Sequence, residues 1–288
     1  MELNSIIPTD PPRDAATVVM VRDRPQGLQV FMVKRHGRSD VLGGAYVFPG
    51  GKLDAADCEI NAQAFLDQSP EELHRALGEP DLTHAHAMGL YVAALREAFE
   101  ESRVLFVHDH RLLQQALAYP PDMPFNTLLG QLGARLLTRS VHPWSRWITP
   151  RIPAVSAKRF DTRFFVVQAP TGQEAVHDNH EMTESVWLEP RAALLQYRDQ
   201  VIDLAPPQIM SLYHLSRHPD VASLVAEASA QVPPLVFPES FDLHGTRMLC
   251  YPGDPLHPVA QRALPGPTRL VYRHGRFEPE EGFDGLLT

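Results

Sequence analysis

Near its start the chain carries two β-rich runs, residues 15–21 and 28–35. They are separated by Asp23-Arg24-Pro25-Gln26-Gly27, whose Pro and Gly predict a hairpin. Ala45-Tyr46-Val47-Phe48 reads as a strand end. Pro49-Gly50-Gly51 then predicts a turn where backbone can approach a ligand closely. Ser69 as cap, Pro70 in the first position, acids in the first turn and Gly78 beyond the end predict a short helix. A long helix starts at Asp81 or Thr83 and runs past Met88, Val92, Leu95, Phe99 and Ser102. Gly89 inside it marks close packing, and His84 and His86, two apart on different faces, read as polar surface. Residues 104–108 look like a strand, 109–118 and 125–137 like helices, and 144–149 and 164–169 like strands. Helices follow at 191–197, 207–216 and 220–230. From Pro233 the pattern shifts to Pro, Gly and short β-like runs at 235–237, 247–250 and 269–272, with His274-Gly275 as a turn. Asp254 and His257 there read as parts of a Pro-braced loop.

Composition narrows the function classes. With 288 residues and 44% hydrophobic content the chain can bury a substantial core. A net charge of −9 without a Lys/Arg block argues against unassisted binding to nucleic acid or to an anionic membrane. Two cysteines, Cys58 and Cys250, lie far apart, which suits a reducing compartment and gives no metal-ligand spacing. No basic-then-apolar leader and no stretch near 18 apolar residues is present, so the expectation is a cytoplasmic protein that does not span a membrane.

Chemistry concentrates in Arg96-Glu97-Ala98-Phe99-Glu100-Glu101. Helical spacings of three and four put Glu97, Glu100 and Glu101 on one face. In a cleft, two carboxylates about 5 Å apart repel by roughly 3 kcal/mol at an effective dielectric of about 20. A divalent cation such as Mg²⁺ or Mn²⁺ relieves that repulsion. A solvated acidic helix face is equally compatible with these six residues taken alone.

Together with Phe48-Pro49-Gly50-Gly51, this segment resembles the Nudix hydrolase family, whose box reads G-x5-E-x7-R-E-U-x-E-E-x-G-U with U bulky and apolar. Gly51 is the first glycine, Asp57 stands in place of the first Glu, and Arg96, Glu97, Glu100, Glu101 and Val104 match the remainder. Ala98 is small at an apolar position, and Arg103 replaces the last glycine. Residues 58–95 fill 38 positions where the family has seven, an insertion of about 31. That insertion, Phe-Pro-Gly-Gly, R-E-A-F-E-E and downstream segments around Trp147, Arg159-Phe160-Asp161-Thr162-Arg163 and Trp187 are similar to peroxisomal-type coenzyme A diphosphatases and their bacterial relatives.

The resemblance implies an α/β fold, the Nudix α/β/α sandwich with a mixed sheet. The implied organisation is a lead over 1–13, a domain over 14–232 with a helical insertion at 58–90, and a C-terminal β-rich extension over 233–288. It implies Mg²⁺ or Mn²⁺ held by the Gly51 carbonyl, Glu97, Glu100, Glu101 and Glu181, the last standing six before Trp187, with Glu184 a weaker candidate. Glu97 or an acid from a loop would be the general base, and Arg96 would orient a neighbouring carboxylate. The implied partner is a nucleotide-type small molecule. Coenzyme A or acyl-CoA leads, ADP-ribose or a nucleotide sugar is the alternative, and a non-catalytic binding module is a third reading. Arg35, Arg159 and Arg163 are candidate substrate contacts. For Arg35 a charged strand end at solvent stays open, and for the other two pairing with acids does. The extension could cover a sheet edge or a partner subunit, which leaves a homodimer open.

Overall fold

The computed structural model describes residues 8–37, 43–153, 158–178 and 182–287. Strands β1 (Arg13–Arg24) and β2 (Gly27–Arg35) form the expected hairpin, with Arg24 paired to Gly27 and Val21 to Val30. Gly27 sits at φ 130°, which a side chain would disfavour. The chain continues through β3 (Tyr46–Val47) and β4 (Gly50–Lys52). The Pro49-Gly50-Gly51 turn is thus confined to Pro49, because Gly50 and Gly51 continue as a strand antiparallel to β1.

Helices α1 (Ala55–Cys58), α2 (Ala62–Phe65) and α3 (Pro70–Leu77) form the start of the insertion. In α3 the Ser69–Glu72 capping box and Gly78 at φ 67° bear out the sequence signals. Helix α4 (His84–Ser102) starts behind its Thr83 cap. Its buried residues surround it, so it is a core helix rather than an amphipathic surface one. A Cβ at Gly89 would lie 2.5 Å from Cys58 Sγ, so α1 rests directly on this helix. His86 is less peripheral than its pattern suggests, since its Nε2 stands 3.0 Å from Asp14 Oδ2.

Past α4, residues 104–107 are buried but form no strand. Val107 alone bridges to Leu136, while the Gln173 side-chain amide takes both the N–H and the C=O of Leu105. A side chain thus satisfies what a neighbouring strand would otherwise pair. Helices α5 (Arg111–Ala116) and α6 (Phe125–Leu132) are shorter than expected. Gly133, at φ 59°, stops α6 before residue 137.

Strands β5 (Val141–Ile148), β6 (Phe160–Gln168) and β7 (Met182–Leu188) follow, then helices α7 (Pro190–Arg198), α8 (Pro206–Leu215) and α9 (Val221–Ala230). The C-terminal residues give β8 (Leu235–Val236), β9 (Glu239–Leu243), β10 (Thr246–Cys250), β11 (Arg269–Arg273), β12 (Arg276–Pro279) and α10 (Asp284–Leu287). Strands β9 and β12 and helix α10 carried no clear signal in the sequence.

The main sheet is mixed, in the order β3-β2-β1-β6-β5-β8, with β4 on β1 and β7 on β2. Strand β1 runs parallel to β6 and antiparallel to β2. Both faces of β1 are covered, which explains its unbroken apolar run. Ala16, Val18 and Met20 meet the α4 side, and Val19 and Val21 meet the side of α7, α8 and α9. The result is the α/β/α sandwich. Strands β9 to β12 form a separate antiparallel meander, yet Leu249, Tyr251, Leu270 and Phe277 share the second core with α7–α9. Asp254 accepts from Arg269, and His257 contacts the Phe237 carbonyl at 2.9 Å, so both brace loops as expected. No helix among the described residues is long and apolar enough to cross a membrane.

Candidate active site

The C-terminal half of α4 lies along β4, and that contact builds the site. Gly50 N–H donates to Glu101 Oε2 at 2.9 Å. A Cβ on Gly51 would fall 2.2 Å from Glu97 Oε1, so only glycine lets this carboxylate lie against the strand. Glu97 and Glu101 are buried, whereas the Glu100 side chain is 44% exposed. The acidic face therefore meets the protein and a cleft rather than open solvent.

Arg96 holds the cluster together. Its Nε and Nη2 donate to the two oxygens of Asp57, each at 3.0 Å. Nη2 also donates to the Lys52 carbonyl at 2.9 Å. Nη1 donates to Glu97 Oε1 at 2.7 Å and to Glu100 Oε2 at 2.9 Å. Burial pulls the Arg96 pKa down, but hydrogen bonding to Asp57 and the charges of Glu97, Asp57 and Glu100 outweigh it and raise it. Arg96 is thus an orienter of carboxylates, as its place in the motif implies. Burial raises the Glu100 carboxyl above its ordinary range; Arg96 opposes this, and Asp57 and Asp54 add to it.

A cavity of about 740 Å³ opens beside these residues. Gly50, Gly51, Glu97, Glu100 and Glu101 line its acidic end. Phe160, Thr162 and Phe164 of β6 and Trp147 of β5 line its body. The C-terminal residues Pro238, Leu249 and Tyr251 complete an apolar wall, and Gln208 of α8 adds a polar group. Arg35 also lines the cavity, and its Nε is buried with no hydrogen-bond partner among the described residues. Asp178 also lines the cavity and accepts from Met182 N–H at 3.0 Å.

The remaining sequence candidates are placed elsewhere. Arg163 does not reach the cavity. Strand side chains alternate, and Phe160, Thr162 and Phe164 take the cavity face, so Arg163 points to the other side. There it is buried against Glu79, Asp14 and Asp161. Arg159 donates to the Thr149 and Pro150 carbonyls and lines a different hollow with Pro12 and Phe237. Glu184 faces Lys34 across the β2–β7 pairing and binds Lys34 Nζ and Tyr46 Oη, away from the box carboxylates. Asp57 is fully buried as the partner of Arg96 and does not line the cavity. Glu181 lies outside the described residues. Reasoning from sequence missed Trp147, Thr162, Gln208, Asp178, Leu249 and Tyr251. The period-two pattern of β6 carried the signal for Thr162 and against Arg163, but nothing local marked the C-terminal residues.

The donor set can hold a hard divalent cation. It offers carboxylate oxygens and a glycine backbone where a missing Cβ leaves room for Glu97, and it contains no sulfur or imidazole.

Comparison with known proteins places these features in context. The NUDT19 Nudix domain family matches residues 12–217. Acyl-coenzyme A diphosphatase NUDT19 of Xenopus laevis is 25% identical over 227 residues, 66% of this chain, and the match spans 59% of that protein's length. The Gallus gallus acyl-coenzyme A diphosphatase NUDT19 is 26% identical over 255 residues, 70% of this chain and 68% of that one. Among solved structures, the NUDIX hydrolase from Alicyclobacillus acidocaldarius superposes with a TM-score of 0.61 at 24% identity, covering 76% of this chain and 97% of that one, a likeness of fold.

Proposed function

The chain belongs to the NUDT19 Nudix domain family, and from that premise we propose that it is a Mg²⁺- or Mn²⁺-dependent hydrolase of nucleoside-diphosphate-X compounds, with coenzyme A or acyl-CoA as substrate. The carrying observation is the seating of Glu101 and Glu97 against Gly50 and Gly51, with Glu100 held beside them by Arg96, in a cavity that also has an apolar wall. A pyrophosphate suits the acidic part, and a pantetheine or acyl chain suits the apolar wall. The names of the relatives support the same substrate class. A cytoplasmic setting belongs to the same proposal.

Glu97, Glu100, Glu101 and the Gly51 carbonyl would hold the cation, with Glu181 as a further ligand. When bound, the cation neutralises phosphoryl charge and acidifies a water. The protein's own groups do the rest. Arg96 fixes the rotamers of Glu97 and Glu100, and the Gly50 amide fixes Glu101. Arg35, shielded and without a hydrogen-bond partner at its Nε, meets a phosphate oxygen. Glu97 or Asp178, a loop acid in the cavity lining, takes the proton from the attacking water. Trp147 and Tyr251 pack the apolar part and exclude water.

Incubation with Mg²⁺ and coenzyme A, acyl-CoA, ADP-ribose or NADH, followed by chromatography, tests the reading. Coenzyme A plus water should yield phosphopantetheine and 3′,5′-ADP. Faster turnover of ADP-ribose would reassign the substrate, and no turnover of any compound would leave a binding module.

A further inference from the structure

Outside the lining of the cavity, the end of α8 and helix α9 bring together three groups that the proposed reaction does not use. His214 lies in the last turn of α8, His218 in the connection beyond it, and Glu227 on α9. Their ligand atoms, one per residue, all lie within 4.8 Å of one another. His214 Nε2 is 2.7 Å from Glu227 Oε1, and His218 Nε2 is 3.5 Å from Glu227 Oε2. Despite that proximity, His218 Nε2 and Glu227 Oε1 are buried atoms with no aligned hydrogen-bond partner among the described residues.

The tautomer of His218 sharpens the point. Ser223 Oγ stands 2.9 Å from the Asp220 carbonyl and 3.2 Å from His218 Nδ1; when its hydrogen goes to the carbonyl, it accepts from the imidazole. In that arrangement the proton of neutral His218 sits on Nδ1, and the Nε2 lone pair faces a Glu227 carboxylate oxygen 3.5 Å away. Two lone pairs aimed at each other need a proton or a cation between them.

We propose that His214, His218 and Glu227 form a second metal site, distinct from the acidic box, that takes a borderline transition cation of the Zn²⁺ class. Two imidazoles and a carboxylate are a ligand set that Zn²⁺ accepts, with a fourth position left for water. Ligand atoms around a tetrahedral Zn²⁺ stand about 3.4 Å apart, so small side-chain rotations suffice. The Glu227 side chain is 35% exposed, which gives an entry path, while both histidine side chains are under 10% exposed. The Ser223 contact to His218 is the outer hydrogen bond that metal-binding imidazoles commonly make. A cation here would clamp α8 to α9. The first turn of α8, through Pro206, Pro207 and Gln208, lines the cavity, so the clamp would stiffen one of its walls.

The test uses Co²⁺ as the probe, added to the full-length protein in excess Mg²⁺, which occupies all-oxygen sites but competes poorly for imidazole. About one equivalent of Co²⁺ should give the intense visible absorption of a four-coordinate ion, and Zn²⁺ should bleach it. His218→Ala and Glu227→Gln should weaken Co²⁺ binding by more than the roughly 10- to 100-fold that loss of an outer partner costs. Zn²⁺ should raise the Tm of the parent but not of either variant. No such absorption in the parent, or undiminished absorption in both variants, overturns the site. If His218→Ala fails to fold, the near-isosteric Glu227→Gln, with its near-UV circular dichroism intact, decides the matter.

Discussion

Arg96 and Asp57 stand 39 positions apart and form a two-pronged pair with both hydrogen bonds at 3.0 Å. The pair closes the insertion back onto α4, so the glycine loop and the helix are neighbours in space although separated in sequence. Asp57→Ala leaves one side of a buried guanidinium unpaired. Because Arg96 keeps Glu97 and Glu100, the expected cost is about 3 kcal/mol, the lower end for a broken buried pair. Urea unfolding measures it. Turnover should fall with KM little changed, because the carboxylates lose their alignment.

Gly51→Ala should cut turnover by about 100-fold while the protein folds. The new Cβ would stand 2.2 Å from Glu97 Oε1 and must push that carboxylate away. A displacement of about 1 Å costs on the order of 100-fold in rate. Circular dichroism matching the parent, with kcat down by that order, is the expected pair of results; unchanged kcat would contradict the proposed role of Glu97.

Glu100→Gln should trade activity for stability. Burial raises the Glu100 pKa in the folded protein, so the folded state binds protons more tightly than the unfolded one. The favourable contribution is present below the unfolded carboxyl pKa of about 4.3 and is lost as pH rises through the higher folded value. Metal-free Glu100→Gln should therefore melt above the parent at pH 7, and the two melting curves should converge as pH falls to about 4. Metal-dependent turnover should disappear in the same variant.

Arg163 and Arg35 separate structure from binding. Arg163→Ala removes a side chain only 3% exposed from among Glu79, Asp14 and Asp161 and should cost about 3–5 kcal/mol. Arg35→Ala should leave Tm nearly unchanged and raise KM for a pyrophosphate substrate roughly tenfold, about 1.4 kcal/mol. Equal effects of the two variants on KM alone would reverse the placement of Arg163.

Arg103→Gly should stabilise the protein. Arg103 caps α4 at φ 57°, the left-handed region, at the position where the Nudix box carries glycine. A side chain there costs roughly 1 kcal/mol, so a gain of that order in chemical unfolding is expected.

The residues that were legible from sequence are those whose signals are local. Ser69, Pro70 and Gly78 delimit α3 because caps act within a single turn. The spacing of Glu97, Glu100 and Glu101 is a property of one helix. The turn at Gly27 depends on its own φ angle. Residues 104–107 misled because their partner is the Gln173 side chain, 68 positions on from Leu105, rather than a strand. The meander strands β9 and β12 were hidden because runs of five and four residues are too short to display a period.

The sequence by itself determined the acidic helix face, the glycines whose bare backbone permits close approach and the core pattern that closes a mixed sheet between helices, since periodicity and backbone freedom are written residue by residue. Only the tertiary structure decided which charges meet the cavity. Arg35 faces it and Arg163 turns away, Asp57 serves Arg96, and Leu249 and Tyr251 from the last strands wall in the far end. Those outcomes depend on sheet register and on contacts across many tens of residues, where the free energy of a pairing resides in the neighbour and not in the residue alone.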